Sequence, residues 1–242
     1  MQTVFLLGAS WISPGATLFL IFIYDFDNCS TILDFNLFAD DANLFYENKS
    51  LQILQNRINS ELIIVHVWLS ATKLSLNIEK SNFIIFHPPQ KGLQDFSFNL
   101  SLNNKQLKRE YCIKYLGIMI DSHLSWKPQV DFVVKKIRRS IGILSKLRHY
   151  IDLSILLKLY YALSYRFFFI YGIIIWGNTY ESTLKPIFIL QKKALRTITF
   201  SQYDSPSSPL FKSLQVIKFY DLVTFHIATF MYKFHNQLLP TA

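Results

Sequence analysis

Apolar residues recur at three- and four-residue steps between residues 50 and 70, which is the spacing of an amphipathic helix that buries one face. The positions that carry this spacing are Leu51, Leu54, Ile58, Leu62, Val65 and Leu69. Ser50 precedes them and belongs to the residue types that cap helix N-termini. We therefore predict a helix that begins after Ser50 and ends near Ser70.

The chain before this helix has a different pattern. Residues 16–26 form an apolar segment, and residues 35–47 read as a hairpin of two strands. The turn of that hairpin is predicted at or beside Asp40 and Asp41, which stand together within an otherwise apolar run.

After the helix, short β-prone runs follow one another. Residues 81–87 (SNFIIFH) predict a strand, and residues 96–103 (FSFNLSLN) alternate apolar and polar side chains as a half-buried strand does. Two asparagines at 103–104 suit a turn, so the apolar run 111–121 is expected to pair with residues 96–103. Gly117 within that run indicates a bulge or a close backbone approach.

From residue 128 onward the apolar spacing is helical, over residues 128–149, 153–171 and 184–199. Pro128 stands where helices begin well. Two of these helices are predicted to have a basic polar face, formed by Lys135, Lys136, Arg138, Arg139, Lys146 and Arg148 and by Gln191, Lys192, Lys193 and Arg196. The pattern predicts an α+β unit over residues 1–125 and a mostly helical unit over residues 126–242.

Composition excludes several classes of protein. With 51% hydrophobic and 17% charged residues, the chain has enough apolar side chains to fold around a core. Its cysteines, Cys29 and Cys112, lie far apart without metal-ligand spacing, and the histidines are scattered. We expect a reducing, intracellular setting and no site built on these residues. The runs TLFLIFIY and RFFFIYGIIIWG are shorter than a bilayer-spanning helix needs, so we expect no membrane insertion.

Charge is distributed unevenly along the chain. Residues 1–65 contain seven Asp and Glu against two Lys and Arg, which gives a net charge of −5. Because the whole chain carries +9, residues 66–242 carry +14. A basic part suggests a phosphate-rich partner or an anionic membrane surface, and clustered carboxylates suggest cation binding. A basic protein with a solvated face fits the charge equally well.

The paired aspartates allow two interpretations. At a hairpin turn both carboxylates can approach one point, where they could hold Mg²⁺ together with substrate phosphates. Alternatively, Asp40 and Asp41 simply form the turn, because aspartate bonds its own backbone in tight turns. Bulky apolar residues on both sides favour the cation, since desolvated charges need compensation.

The run FADDANLF (38–45) resembles the F-A-D-D hairpin of reverse transcriptases from jockey-like non-LTR retrotransposons, and further motifs agree in order and spacing. WLSATKLSLNIEKSNFIIF (68–86) resembles the next palm motif, with its N-x-x-K-S core. KYLGIMIDSHLSWKPQV (114–130) resembles the primer-grip hairpin that leads into the thumb. YGIIIWGNTY (171–180) and LQKKALRTI (190–198) resemble the region after the thumb.

The resemblance implies a partial reverse-transcriptase palm, an antiparallel sheet with packed helices, followed by a helical thumb and C-terminal region. It gives Asp40 and Asp41 the place of the Mg²⁺-binding catalytic pair. Lys80 would be the motif lysine that assists the pyrophosphate leaving group, and Leu116 and Gly117 would lie at the primer grip. The implied partners are an RNA template, a DNA primer and deoxynucleotides.

One motif of the family is eroded in this chain. In SPGATLFLIFIYDF (13–26), Pro14 and Ala16 replace the Gln and Ser of the family pattern and about four residues are missing, so Gly15 is a weakened candidate for the nucleotide pocket. The family's other catalytic aspartate lies in a motif upstream of this stretch. We therefore expect a truncated fragment of an RNA-directed DNA polymerase that is inactive alone; the alternative is a non-catalytic nucleic-acid-binding remnant.

Overall fold

The computed structural model describes residues 2–7, 21, 23–38, 41–74, 76–90 and 97–240. The chain divides into two compact units, which meet in sequence between Leu124 and Ser125. The first combines a sheet with a helix and the second is helical, so the predicted α+β class is confirmed. Most of the predicted apolar segment 16–26 lies outside the described residues.

The first unit is built on one sheet with the strand order β2-β3-β1-β4-β7. Its strands are β1 (Gln2–Leu7), β2 (Asp34–Phe38), β3 (Asp41–Asn48), β4 (Asn82–Phe86) and β7 (Lys108–Arg109). β1 lies at the centre and is antiparallel to both β3 and β4, whereas β7 pairs with β4 in parallel. The predicted hairpin before the helix and the predicted strand after it are both confirmed.

Helix α1 (Leu51–Ala71) packs its apolar stripe on one face of this sheet. Its buried side chains include Leu54, Ile58, Leu62, Val65 and Leu69, as the spacing predicts. Ser50 caps the helix by accepting the backbone N–H of Ile53. Glu61 is also buried, and its carboxylate accepts the Ser30 hydroxyl at 2.6 Å, just beyond a 3-10 turn over Phe26–Cys29.

The segment predicted as a strand over residues 96–103 has the expected alternating burial, but most of it does not pair with another strand. Phe98, Leu100 and Leu102 are buried, yet only Ser101–Leu102 (β5) pairs, in a small hairpin with Lys105–Gln106 (β6). The preceding residues use α1 instead, because the backbone N–H of Asn99 donates to the Gln55 side chain and that of Ser101 to Asn59. Amide side chains of a helix therefore take the place of a neighbouring strand.

The apolar run 111–121 does not pair with residues 96–103, contrary to the prediction. It folds on itself into β8 (Cys112–Tyr115) and β9 (Ile118–Asp121), which are antiparallel. The physical reason lies at residues 116–117, where a two-residue turn closes the hairpin locally. Side chains of this hairpin cover the second face of the sheet, in a small core formed by Ile84, Ile113, Phe45, Phe86, Tyr115 and Ile120.

The second unit consists of helices α2 (Lys127–Leu147), α3 (Leu153–Tyr160), α4 (Ile173–Trp176), α5 (Glu181–Ile198), α6 (Ser208–Ser213) and α7 (Phe219–His235). Wider π-helical turns over Tyr161–Ile170 continue α3. The three predicted helical regions are thus confirmed, with Pro128 in the first turn of α2. The core joins α2 to α5 through Val134, Ile137, Ile141, Leu144, Leu184, Ile187, Ala194 and Leu195. No helix among the described residues combines the length and apolarity needed to cross a bilayer.

Gln191 is not part of a basic polar face, contrary to the prediction. It is fully buried on α5 and forms three hydrogen bonds. Its Nε2 donates to the carbonyl oxygen of Ile217 at 2.9 Å and to the hydroxyl of Tyr160 at 3.3 Å, and its Oε1 accepts the backbone N–H of Phe219 at 2.8 Å. Neighbours in sequence cannot reveal such a role, because the partners of Gln191 lie more than twenty residues away.

Candidate functional site

The aspartate hairpin stands at one end of the first unit's sheet. β2 and β3 pair so that Phe38 faces Asp41, and the connection between them is residues 39–40. Asp41 is the first residue of β3 and is half-buried. Asp40 and Gly15 lie outside the described residues, so their predicted roles stay predictions.

Alternation along β3 gives its two faces different neighbours. Ala42, Leu44 and Tyr46 pack with the α1 core, whereas Phe45 packs with the β8–β9 hairpin. Asp41 and Asn43 have the same parity as Phe45 and therefore belong to the β8–β9 side of the sheet. The face that carries Asp41 is thus the face that the Y-L-G hairpin covers.

Asn43 connects these two hairpins, although nothing in the sequence singles it out. Its side chain has 0% exposure, and Nδ2 donates to the carbonyl oxygen of Asn36 at 3.0 Å and, at 3.5 Å, to the hydroxyl of Tyr115. Its Oδ1 has no hydrogen-bond partner among the described residues. Burial, together with the negative charge of Asp41, raises the pKa of Tyr115. The Tyr115 hydroxyl therefore interacts with two residues of β3, Asn43 through a hydrogen bond and Asp41 through its charge.

Leu116 and Gly117 form the tight turn of the β8–β9 hairpin. Tyr115 pairs with Ile118, and both intervening residues have positive φ, 43° at Leu116 and 85° at Gly117. This is the backbone that a type I′ turn requires. Of the two predicted alternatives at Gly117, the bulge is not found, because this glycine lies in a turn; the close backbone approach stays a prediction. Leucine is unfavourable at φ > 0, because its Cβ crowds the following carbonyl.

Lys80 lies in the turn that leads from α1 into β4, and its side chain is exposed. Its backbone N–H donates to both oxygens of Asn77, the carbonyl at 3.1 Å and Oδ1 at 3.3 Å. The Ser81 hydroxyl donates to the same Asn77 carbonyl at 2.9 Å. The Asn, Lys and Ser of the N-x-x-K-S motif thus build one turn, beside an open pocket of about 500 Å³ bordered by Lys105 and Lys108.

The sheet register brings these motifs to one end of the first unit. On β1, Leu6 faces Leu44 of β3 and Leu7 faces Asn82 of β4. The starts of β3 and β4 therefore lie at the same end of the sheet, separated by β1, at about 10 Å for two strand spacings. Asp41 and the Lys80 turn share that end.

A divalent cation has one candidate carboxylate ligand here among the described residues, which is Asp41. No group of three His, Cys, Asp or Glu side chains comes together in the described part of the chain. Magnesium takes oxygen ligands in an octahedral arrangement, so Asp41 by itself does not make a metal centre. The described donor set does not fit the ion on its own, and the predicted pair requires Asp40.

The second unit carries most of the positive charge. Residues 125–242 contain sixteen Lys and Arg against five Asp and Glu, a net charge of +11. Three of the acids, Asp152, Glu181 and Asp221, stand at helix N-termini, where they offset the helix dipoles. Among the described residues of this unit, no Lys or Arg forms an ion pair.

The exposed cations of α2 form a stripe. Lys135, Arg138, Arg139 and Lys146 are exposed and lie opposite the buried face, within about one third of the helix circumference. The predicted basic face of α2 is confirmed at these positions. Such a surface has the charge to contact the phosphates of a nucleic acid.

Comparison with known proteins agrees with these motifs. No protein-family model matches the chain, and no solved structure matches it. The RNA-directed DNA polymerase from mobile element jockey of Drosophila melanogaster is 23% identical over 217 residues, which cover 86% of this chain and 23% of that protein. A probable RNA-directed DNA polymerase from transposon X-element of the same fly is 22% identical over 213 residues, covering 83% and 22%.

A third protein, the probable RNA-directed DNA polymerase from transposon BS of Drosophila melanogaster, is 25% identical over 184 residues, covering 74% of this chain and 20% of that protein. The chain thus spans less than a quarter of the length of these relatives. The similarity nevertheless runs through both units. Over most of its length the chain is therefore similar to RNA-directed DNA polymerases of jockey-like mobile elements, the family that its motifs resemble.

Proposed function

We propose that this chain forms part of an RNA-directed DNA polymerase, in which the first unit carries the catalytic aspartates and the second contacts the nucleic acid. The observation that carries the proposal is the grouping of three motifs within the first unit. Asp41 and the Lys80 turn share one end of the sheet, and the Leu116–Gly117 hairpin covers the face of β3 to which Asp41 belongs. A polymerase requires metal ligands, leaving-group contacts and primer contacts close together.

Each candidate residue has a role in this proposal. Asp40 and Asp41 would together hold Mg²⁺, which would supply charge stabilisation for phosphoryl transfer. Lys80 contacts the leaving pyrophosphate. Leu116 and Gly117 present the turn backbone to the primer, and Gly15 borders the nucleotide.

Terbium luminescence tests the metal site without requiring activity. Tb³⁺ prefers oxygen ligands as Mg²⁺ does, and a nearby tyrosine sensitises its emission. Tyr115 can serve as that tyrosine, because its hydroxyl accepts a hydrogen bond from Asn43, which shares a face of β3 with Asp41. We expect Asp41→Asn to abolish the sensitised emission. Asp34→Asn is the matched control, because Asp34 is exposed at the far end of β2, opposite Phe45. Equal emission from wild type and Asp41→Asn would contradict the site.

The nucleic-acid contact is tested by salt dependence. We expect Lys135→Glu and Arg138→Glu to weaken binding of an RNA–DNA hybrid and to lower the slope of log K against log salt, by about 0.9 for each phosphate that the chain no longer neutralises. Lys212→Glu and Lys218→Glu are controls for charge outside the α2 stripe. Equal weakening by both pairs would show that net charge alone governs binding.

Primer extension tests the polymerase activity itself. A polypeptide of these 242 residues is expected not to extend a DNA primer on an RNA template with Mg²⁺, because the motif that supplies the family's other catalytic aspartate is not among them. Robust synthesis that disappears in Asp40→Asn would overturn this expectation.

The charge of the second unit favours an alternative, a nucleic-acid binder without catalysis. Its net charge of +11 supports binding whatever the state of the aspartates. In that case Asp40→Asn with Asp41→Asn leaves both hybrid binding and its metal dependence unchanged. If the polymerase proposal holds, the double variant loses the Mg²⁺ dependence of primer–template binding.

A further inference from the structure

An exposed aromatic ring stands at the C-terminal end of α5, beside the C-terminal end of α2. Phe200 lies two residues past the last residue of α5 and keeps 55% of its surface exposed. Arg148, at the end of α2, places its guanidinium 4.7 Å from the centre of the Phe200 ring. The His149 ring meets the same ring edge-on at 5.5 Å.

The surroundings of Phe200 hold the ring in place. Arg148 donates to the carbonyl oxygen of Thr197 and to Nε2 of His149, both at 3.4 Å. Arg196 donates to the carbonyl oxygen of Ser205 at 2.9 Å and so closes the loop that carries Phe200. Arg148 thus places a cation against the ring and His149 places an imidazole at its edge.

Phe200 also sits at φ 55°, the left-handed region. A bulky residue is unfavourable there, and folding gains nothing from exposing its ring to water. A single exposed apolar residue is common on protein surfaces and needs no explanation. Phe200 differs, because its ring is held by a cation and an imidazole while its backbone adopts an unfavourable conformation, a combination that is more often found at functional sites.

The ring lies between segments that contain more cations than acids. Residues 146–150 (KLRHY) and 196–203 (RTITFSQY) contain Lys146, Arg148 and Arg196, and the acids Asp152 and Asp204 follow these segments. The same segments end in Tyr150 and Tyr203, which are also exposed. Interleaved aromatic rings and cations are the composition of surfaces that bind single-stranded nucleic acid, where bases stack on rings and cations contact phosphates.

We infer that the end of α2 and α5 around Phe200 and Arg148 is a stacking site for an unpaired nucleobase of a single strand. This inference rests on the proposed nucleic-acid function and specifies a single strand as the ligand, because bases inside a stacked duplex do not expose their faces. The base stacks on Phe200, and the phosphate beside it meets Arg196. A protein partner is the other occupant for an exposed aromatic ring, and strand binding that does not depend on Phe200 would favour that occupant.

The test measures binding of a fluorescent twelve-nucleotide thymidine strand by the full chain, next to an abasic strand with the same number of phosphates. We expect Phe200→Ala to weaken binding of the thymidine strand by roughly five- to a hundredfold and to leave the abasic strand unchanged. Phe200→Trp should restore binding, and its fluorescence should be quenched when the strand is added. Phe225→Ala is the matched control, since Phe225 is 57% exposed on α7 of the same unit.

The outcomes separate this inference from the proposed function. If wild type binds neither strand, the nucleic-acid function fails and the stacking site fails with it. If wild type binds both strands equally and Phe200→Ala changes neither, charge contact stands and the stacking site is overturned. Equal weakening by Phe200→Ala and Phe225→Ala also overturns it, and thermal melting of both variants shows whether either loss reflects unfolding.

Discussion

Replacement of Gln191 by leucine tests whether one buried amide holds the helical unit together. Gln191 has 0% exposure and bonds Ile217 and Phe219, which lead into α7, and also Tyr160 at the end of α3. Leucine has a similar volume and no polar atom. The substitution therefore removes the hydrogen bonds while it keeps the space filled.

The expected cost follows from the groups left behind. A buried polar group that loses a hydrogen bond costs about 1–3 kcal/mol, and this change removes the bonds that Gln191 makes to the Ile217 carbonyl, the Phe219 N–H and the Tyr160 hydroxyl. Burying the leucine side chain offsets part of that, so we expect a loss of about 3 kcal/mol in the free energy of unfolding. For a unit of this size the Tm should fall by roughly 10–15 °C.

Urea denaturation followed by circular dichroism and tryptophan fluorescence measures this loss. Trp176 reports on the region, because its buried ring stacks on Phe219 at 6.1 Å. Tyr160→Phe removes one of the three bonds and should cost about 1 kcal/mol. Gln202→Leu, at an exposed position of the same unit, should stay within about 0.5 kcal/mol of wild type.

Hydrogen exchange gives a local test of the same reasoning. The amide proton of Phe219 should be protected in wild type and should exchange rapidly in Gln191→Leu, whereas α2 amides should follow global stability. Gln191→Leu as stable as wild type, with Phe219 still protected, would refute the role of this side chain.

Four further predictions concern backbone conformation and thiol chemistry. Gly142→Ala should raise stability by about 1 kcal/mol, because glycine is a poor helix residue and a Cβ there meets nothing within 4 Å. Gly177→Ala should instead lower stability by about 1–3 kcal/mol, because its Cβ would lie 2.4 Å from the carbonyl oxygen of Ile173. Urea denaturation measures both variants, and equal changes in stability would contradict the difference in space around the two glycines. Leu116→Asn should stabilise the first unit by about 1 kcal/mol in the same assay, because asparagine tolerates positive φ, and a loss of stability would mean that leucine packing outweighs backbone strain. Burial and the charge of Glu61 raise the pKa of Cys29 to about 11. Its alkylation rate should therefore be low at pH 8 and rise about tenfold per pH unit toward pH 11. Labelling of the folded chain at pH 8 as fast as that of a urea-unfolded control would contradict this.

Sequence patterns predicted the elements whose signals are local. Leu54, Ile58, Leu62 and Val65 define the buried face of α1 by spacing alone, and Ser50 marks its start. A strand, by contrast, needs a partner that its own residues do not name. The backbone of the alternating segment 97–101 donates instead to the amide side chains of Gln55 and Asn59, which lie about forty positions earlier in the sequence.

The candidate site was predictable to a similar degree. The paired aspartates and the Y-L-G run stand out as strings, so their positions could be proposed without a structure. Asn43 could not, because its importance depends on complete burial and on a contact with Tyr115, 72 residues later. Gln191 was assigned to the wrong face for the same reason: a polar residue next to lysines looks solvent-exposed until its distant partners are known.

The central place of β1 has a consequence for how the first unit folds. Residues 2–7 pair with residues 44–48 on one side and with residues 82–86 on the other, so the sheet closes only when segments about forty and eighty positions apart have met. The β2–β3 and β8–β9 hairpins can form within microseconds, whereas the pairings of β1 must first overcome the entropy of closing long loops. Assembly of the aspartate strand into a sheet should therefore be the slow event, and until β1 arrives both β3 and β4 keep an open edge that invites pairing with another chain.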